Sequence, residues 1–301
     1  MSKRQLSAAG IANPALQASY THCRRINAAH GKTYYLATLL LPPAKRPYVH
    51  ALYGFARYAD DIVDSLDDKP VAQRSAALSE LADRFFTDLK SGHSDHPVCA
   101  ATVDTALRWD IDTEYFEAFI ESMQMDLHID HYDTYADLET YVYGSAAVIG
   151  LQMVPILEPT DPAAFDFAKD LGIAFQLANF IRDVGEDLER NRIYLPLDEL
   201  AEFGVTADDV RARVMTPQLR AALAAQIARV RRLEERSRPG ISMLSPDSQP
   251  CIETARVLYC GIVDEVENID YDVFTKRAKV PLNRRLAVAV PAWRQARRAR
   301  R

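Results

Sequence analysis

Apolar residues recur along this chain at helical spacing. Leu177, Phe180, Ile181, Val184 and Leu188 repeat with a period of about 3.6 residues. Between them Gln176, Asn179, Asp183 and Asp187 stand at i, i+3, i+7 and i+11, on one face of the same helix. The pattern returns upstream in Tyr53–Asp64. There Asp60 and Asp64 are i and i+4, Asp61 is turned about 100° away, and Arg57 precedes them by one turn. Such polar stripes, held in place by apolar flanks, read as a site and not as a solvated surface.

The same periodicity predicts helices over Pro14–His30, from the prolines Pro42, Pro43 and Pro47 to about Leu66, and over Val71–Lys90, His96–Arg108, Asp112–Leu127 and Thr134–Leu157. Asp161 as N-cap and Pro162 at the first helical position mark the start of the second acidic helix. Pro217 opens an Arg/Ala-rich helix, Arg238–Pro250 form a loop, and a final long helix carries Leu258–Glu265. Only 11 glycines occur among 301 residues and strand-like alternation is scarce, so an all-α fold is expected. With no internal repeat and no Gly/Ser linker, residues 1–301 are expected to form a single domain with loose tails at about 1–13 and 292–301.

Asp60, Asp61 and Asp64 repel one another unless a cation sits among them. Two acidic faces on separate helices suit hard divalent ions such as Mg²⁺, and those ions can hold a diphosphate. Beside such faces, Arg190 and Arg192 become credible phosphate contacts. Spacing alone favours an ordinary helix junction at His30-Gly31-Lys32-Thr33-Tyr34-Tyr35 over presentation of His30 and Lys32 to an anion. The charges of Asp126–Asp133 alternate instead of stacking, which reads as a helix end and not as a third metal site. His93 and His96, on a Gly/Ser/Pro loop without a third ligand, read as surface residues. Tyr141–Ala147 combine phenols with small residues, which suits close packing and catalysis equally.

A net charge of −6 argues against nucleic acid as the main partner. Cys23, Cys99, Cys251 and Cys260 lack C-x-x-C spacing and read as reduced packing thiols. Met1–Arg4 are followed by small and polar residues, not by an apolar signal core, so a cytoplasmic location is expected. The apolar stretch Ala146–Leu157 contains Gln152 and Pro155 and is too short to cross a bilayer. Trp293, Arg294, Arg297, Arg298, Arg300 and Arg301 form a basic end. It reads as a solvated tail or as a peripheral contact with anionic lipid at the inner face of the membrane.

From about Tyr20 to Val280 the chain resembles the squalene and phytoene synthases, the trans-isoprenoid synthases that join prenyl diphosphates head to head. His30–Tyr35, Tyr53–Asp64, Tyr141–Gly150, Leu171–Pro196 and Leu258–Val280 carry the resemblance. Arg57–Asp64 and Arg182–Asp187 look most like bacterial phytoene synthases. The resemblance implies a class I isoprenoid synthase bundle around a deep apolar cavity. It implies metal-binding motifs on Asp60, Asp61 and Asp64 and on Asn179, Asp183 and Asp187. Contacts to diphosphate or metal map onto His30, Lys32, Arg57, Gln176, Asn179 and Arg182. Tyr141 maps near the reacting carbons, and Tyr194 and Tyr259 onto aromatic positions at the diphosphate end. Ser145-Ala146-Ala147 depart from the Val-Ala-Gly that the family often has after its tyrosine motif.

The implied reaction condenses two geranylgeranyl diphosphates to phytoene, the first committed step of carotenoid biosynthesis. It passes through the cyclopropyl prephytoene diphosphate and releases diphosphate. The expected cofactor is Mg²⁺, with Mn²⁺ able to substitute, and no NADPH; farnesyl diphosphate is the alternative substrate. The final proton is expected to go to released diphosphate or to Tyr141. Other readings fit less well. Terpene cyclases replace the second motif by an Asn, Ser/Thr and Glu set, whereas here Asn179 leads into Asp183 and Asp187. A di-iron bundle needs Glu-x-x-His pairs, which are absent. A non-catalytic scaffold would leave the carboxylates without a counter-charge.

Overall fold

The computed structural model describes residues 1–64 and 69–300. Among the described residues all regular structure is helical, with only isolated bridges at His131–Ile193 and Pro159–Leu244. A capping box of Ser2 and Gln5 starts α1 (Lys3–Ala8). Asn13 caps α2 (Pro14–His30), with Pro14 in its first turn. α3 (Lys32–Thr38) leads to the first acidic helix, α4 (Arg46–Val63). Its expected end near Leu66 lies outside the described residues. α5 (Val71–Ser91), α6 (Cys99–Arg108) and α7 (Thr113–Met125) follow. Thr134 and Asp137 box the start of α8 (Tyr135–Val142), and α9 (Val148–Ile156) comes after a π-helical turn at Tyr143–Ala147. α10 (Ala164–Asp187) is the second acidic helix. The remainder comprises α11 (Leu197–Glu202), α12 (Ala207–Arg211), α13 (Pro217–Ser237), α14 (Gln249–Cys260), α15 (Ile262–Asn268) and α16 (Leu282–Ala299).

Two buried clusters organise the packing. In the first, α4 lies against α2, α5, α6 and α7, and Tyr20, Phe55, Phe85 and Phe116 are fully buried there. In the second, α10 lies against α13, and Leu177, Ile181, Leu223 and Ile227 interdigitate. α9 and the π turn contact α7 on one side and α10 on the other, joining the halves.

Several elements differ from the sequence expectation. Thr134–Leu157 is not one helix. At Gly144 the chain meets α7 so closely that a Cβ would lie 2.0 Å from the Ala118 carbonyl oxygen and 2.2 Å from Ser122 Oγ. Ser122 Oγ donates to the Tyr141 carbonyl at 2.9 Å, and the helix widens into the π turn at this contact. α10 starts at Ala164, because Asp161 caps the preceding turn through the amide of Ala163. The final helix divides at Gly261 into α14 and α15, and α6 starts at Cys99, where His96 Nδ1 accepts from the amides of Val98 and Cys99.

Both ends expected to be loose carry helices that pack on the rest of the chain. Leu6, Ala9 and Ile11 are buried, and Tyr48 Oη donates to the Ala9 carbonyl at 2.6 Å. α16 is helical to Ala299 because Val288, Ala292 and Ala296 give it an apolar inner face; Arg301 lies outside the described residues. Among the described residues no helix is long and apolar enough to cross a membrane.

Candidate active site

Both acidic helices wall one cavity of about 370 Å³, a size typical of ligand pockets. α4 contributes Val49, Leu52, Tyr53, Ala56, Arg57 and Asp60; α10 contributes Ala164, Ala168, Leu171, Phe175, Gln176 and Asn179. On each helix the apolar positions come first and the polar ones last, so both carry their carboxylates to the same end. Along α10 the wall runs about 22 Å from Ala164 to Asn179 at 1.5 Å per residue.

The mouth is a lattice of carboxylates and guanidinium groups. Arg57 bridges Asp60 at 2.8 Å and Asp61 at 2.5 Å along its own helix. Arg182 Nε donates to Asp183 Oδ1 at 2.7 Å, and Arg277 reaches the same carboxylate at 3.1 Å and Glu186 at 3.1 Å. Arg277 comes from the irregular segment after α15. That segment lies directly on α10 at Gly185, where a Cβ would stand 2.6 Å from the Val273 carbonyl oxygen. Arg192, just beyond α10, donates to Asp64 at 2.9 Å and so ties the end of one acidic helix to the end of the other.

Arg57, Asp60, Tyr141, Gln176 and Asn179 line the cavity itself. Asp61, Asp64, Arg182, Asp183 and Asp187 do not line it; they follow the lining residues towards the C-terminal ends of α4 and α10. Tyr194 and Tyr259 do not line it; each stands one layer behind a lining ring. Tyr194 stacks on Phe180 at 4.2 Å and lies 5.5 Å from Tyr141, while Tyr259 stacks on Tyr34 at 4.3 Å. His30 and Lys32 are exposed at the junction of α2 and α3. Gly31 between them packs on the Tyr53 ring, where a Cβ would lie within 2.6 Å.

Asp126, at the end of α7, is the residue that sequence reasoning missed. Its carboxylate is buried and accepts from Tyr141 Oη at 2.6 Å and from Tyr194 Oη at 2.8 Å, while Arg192 donates to its carbonyl at 2.9 Å. The alternating charges of Asp126–Asp133 read as a helix end, which α7 has there, and gave Asp126 no role in the site. The apolar repeat of α7 was the better signal, since buried Met123 and Leu127 flank Asp126 and carry it inward. Burial raises the carboxyl of Asp126, against the pull of Arg192 and the two phenols. Burial also raises Tyr141 and Tyr194 well above the ordinary phenol range, with the charge of Asp126 adding to it. Both therefore stay neutral donors.

Among the described residues no three His, Cys, Asp or Glu side chains converge into a ready metal cage. The donor set nevertheless fits a hard divalent cation. Burial and the Asp183 charge push Asp187 up to about 8, and burial and Asp64 raise Asp60 despite Arg57. Asn179 Oδ1 is buried without a hydrogen-bond partner. The site thus has oxygen donors in excess of positive charge. Such ions commonly take one or two carboxylates and complete their shells with water and phosphate oxygens, so paired carboxylates suffice.

An all-α bundle whose two acidic helices open a shared apolar cavity is the isoprenoid synthase fold. The family model described as squalene/phytoene synthase matches residues 27–284, and the chain belongs to that family. It is 38% identical over 283 residues to a 15-cis-phytoene synthase of Synechococcus elongatus, covering 90% of this chain and 91% of the relative. It is 38% identical to a phytoene synthase of Arthrospira platensis, covering 87% of this chain and 88% of that protein. Among solved structures, a dehydrosqualene synthase with bound ligand superposes with a TM-score of 0.85 at 27% identity, over 94% of this chain and 98% of that one.

Proposed function

We propose that this protein is a prenyltransferase that joins two geranylgeranyl diphosphates head to head into phytoene, through prephytoene diphosphate, in carotenoid biosynthesis. The observation that carries the reading is the shared mouth: Arg57, Asp60, Gln176 and Asn179 stand at the polar end of a cavity whose other walls are largely apolar. The phytoene synthases similar to this chain over about nine-tenths of its length support the geranylgeranyl substrate and the phytoene product.

Mg²⁺, with Mn²⁺ able to substitute, would be held by Asp60, Asp61, Asp64, Asn179, Asp183 and Asp187 and would neutralise the departing diphosphate. Arg57, Arg182, Arg192 and Arg277 supply guanidinium donors to the phosphate oxygens, and His30 and Lys32 stand exposed near the same end. Ionisation leaves an allylic cation in the apolar cavity, where walls such as Leu52, Leu171 and Phe175 exclude the water that would quench it. Tyr141 lines the cavity beside that cation and its hydroxyl donates to Asp126, so Tyr141 orients and the diphosphate released at the mouth takes the final proton. Residues 1–301 act as one domain in this reading, without NADPH, at the inner face of a membrane that supplies and receives lipid.

The test is product analysis of the purified protein with geranylgeranyl or farnesyl diphosphate, Mg²⁺, and with or without NADPH. Phytoene from geranylgeranyl diphosphate without NADPH is the expected result. A saturated central bond that requires NADPH, or turnover of farnesyl diphosphate alone, overturns it.

A further inference from the structure

α16 has two faces. Its inner face, with Val288, Ala292 and buried Ala296, packs on α14, whose Cys251, Ile252 and Ala255 line the cavity. Its outer face carries Leu282, Leu286, Val290 and Trp293 at i, i+4, i+8 and i+11, within about 80° of arc at 100° per residue. These side chains are 70%, 52%, 44% and 48% exposed, and they are half of the large exposed hydrophobic residues among the described ones. A surface helix that solvates its most apolar stripe is unpartnered.

The charges beside the stripe choose the partner. Leu282–Arg301 hold seven arginines and no carboxylate, on a chain with a net charge of −6. Arg284 pairs with Asp264 and Glu265 and Arg285 bonds the Val280 carbonyl, but Arg294, Arg297 and Arg298 point to solvent at the edge of the stripe. The Arg297 guanidinium lies 4.8 Å from the Trp293 ring, an arrangement suited to a lipid headgroup region, where the ring is half immersed and the cation meets phosphate.

We infer that the outer face of α16 docks this protein on an anionic lipid bilayer surface, lying in the interface plane with Leu282, Leu286, Val290 and Trp293 inserted among the acyl chains. The helix is amphipathic, basic on its polar edge and not long enough or apolar enough to cross, which is the form of an interfacial anchor. Docking here sets the cavity one helix layer from the membrane. Its use for delivering prenyl diphosphates and discharging a hydrocarbon rests on the proposed reaction; the docking itself does not.

The test is co-sedimentation of the full chain with phosphatidylcholine vesicles with or without phosphatidylglycerol, at low and high salt. The expected result is binding to the anionic vesicles only, weakened by salt, with a blue shift of Trp293 emission that is missing in Trp293→Phe. Leu286→Ser combined with Trp293→Ser should weaken binding by at least about tenfold. Arg294→Gln, Arg297→Gln and Arg298→Gln together should weaken it roughly a hundredfold. All variants should keep their helical circular dichroism and their turnover of detergent-dispersed substrate. Vesicle binding without any prenyl transfer would leave the docking standing and remove the proposed reaction. Failure to bind anionic vesicles, equal binding to neutral ones, or a concentration-dependent dimer dissociated by Leu286→Asp would overturn the docking, the last by showing that a second copy covers this face.

Discussion

At the mouth of the cavity the residues are charged, amide or aromatic and come largely from two continuous helices. Arg57, Asp60, Asp61 and Asp64 lie on or at the end of α4, and Asn179, Arg182, Asp183 and Asp187 on α10. The floor is assembled differently. Leu157 follows α9, Ala164 starts α10, Ile241 and Leu244 belong to the segment between α13 and α14, and Cys251 lies in the first turn of α14. Lys45 pins this end: its buried ammonium donates to Ser245 Oγ at 2.9 Å, Ser248 Oγ at 2.9 Å and Asp247 at 3.1 Å, and pairs with Glu158 at 2.6 Å. The chemistry of the site is therefore local in the chain, and the size of the ligand it accepts is not.

If that division holds, the largest losses come from the mouth. Asp60→Asn and Asp183→Asn should each lower kcat by at least roughly 10³-fold with helicity intact, because each removes a negative charge that would hold the Mg²⁺ on which the diphosphate departs. A near-normal rate at limiting Mg²⁺ would break the assignment. Asp126→Ala should cost about 10²-fold in kcat, because it leaves the Tyr141 and Tyr194 hydroxyls without their acceptor and frees the Tyr141 ring to turn. Asp126→Asn, which keeps an acceptor oxygen, should recover part of that loss; equal rates in the two variants would show that charge, not orientation, matters there.

The floor should behave otherwise. Ala255→Phe fills space on α14 that a long chain needs, so selectivity between farnesyl and geranylgeranyl diphosphate should move about tenfold or more towards the shorter one. Competition between the two substrates measures this, and a uniform loss on both would place Ala255 outside the chain-length boundary. Smallest in its effect on turnover is Lys45→Met. It should cost about 2 kcal/mol of stability by leaving its oxygen partners unsatisfied, with little change in kcat, as read from urea unfolding beside a rate assay. A large kcat loss without destabilisation would mean that the floor is also part of the chemistry.

Legibility in the sequence follows the same division. The second acidic stripe is readable because Gln176, Asn179, Asp183 and Asp187 share a helical face and their flanks are apolar. The arginines that neutralise the stripes separate into two groups. Arg57 and Arg182 sit beside their carboxylates in sequence, whereas Arg277 meets Asp183 only because the chain folds back over Gly185. Asp126 was hidden for a related reason. Its role depends on two phenols 15 and 68 residues away, and no local window contains all three.

Helix type, the helix starts at Pro14 and Pro217, the two acidic faces and the family resemblance were determined by the sequence itself. They depend on residues within a few turns of one another, where the period of the backbone translates spacing directly into geometry. The π turn at Tyr143–Ala147, the layer of Tyr194 and Tyr259 behind the cavity wall, the cavity floor and the solvated stripe of α16 were decided by tertiary structure. Each depends on which surfaces meet. Gly144 opens its helix because α7 lies against it, and the stripe of α16 stays exposed because α14 covers only the opposite face. Periodicity reports that a helix has an apolar face; only packing decides whether that face is covered.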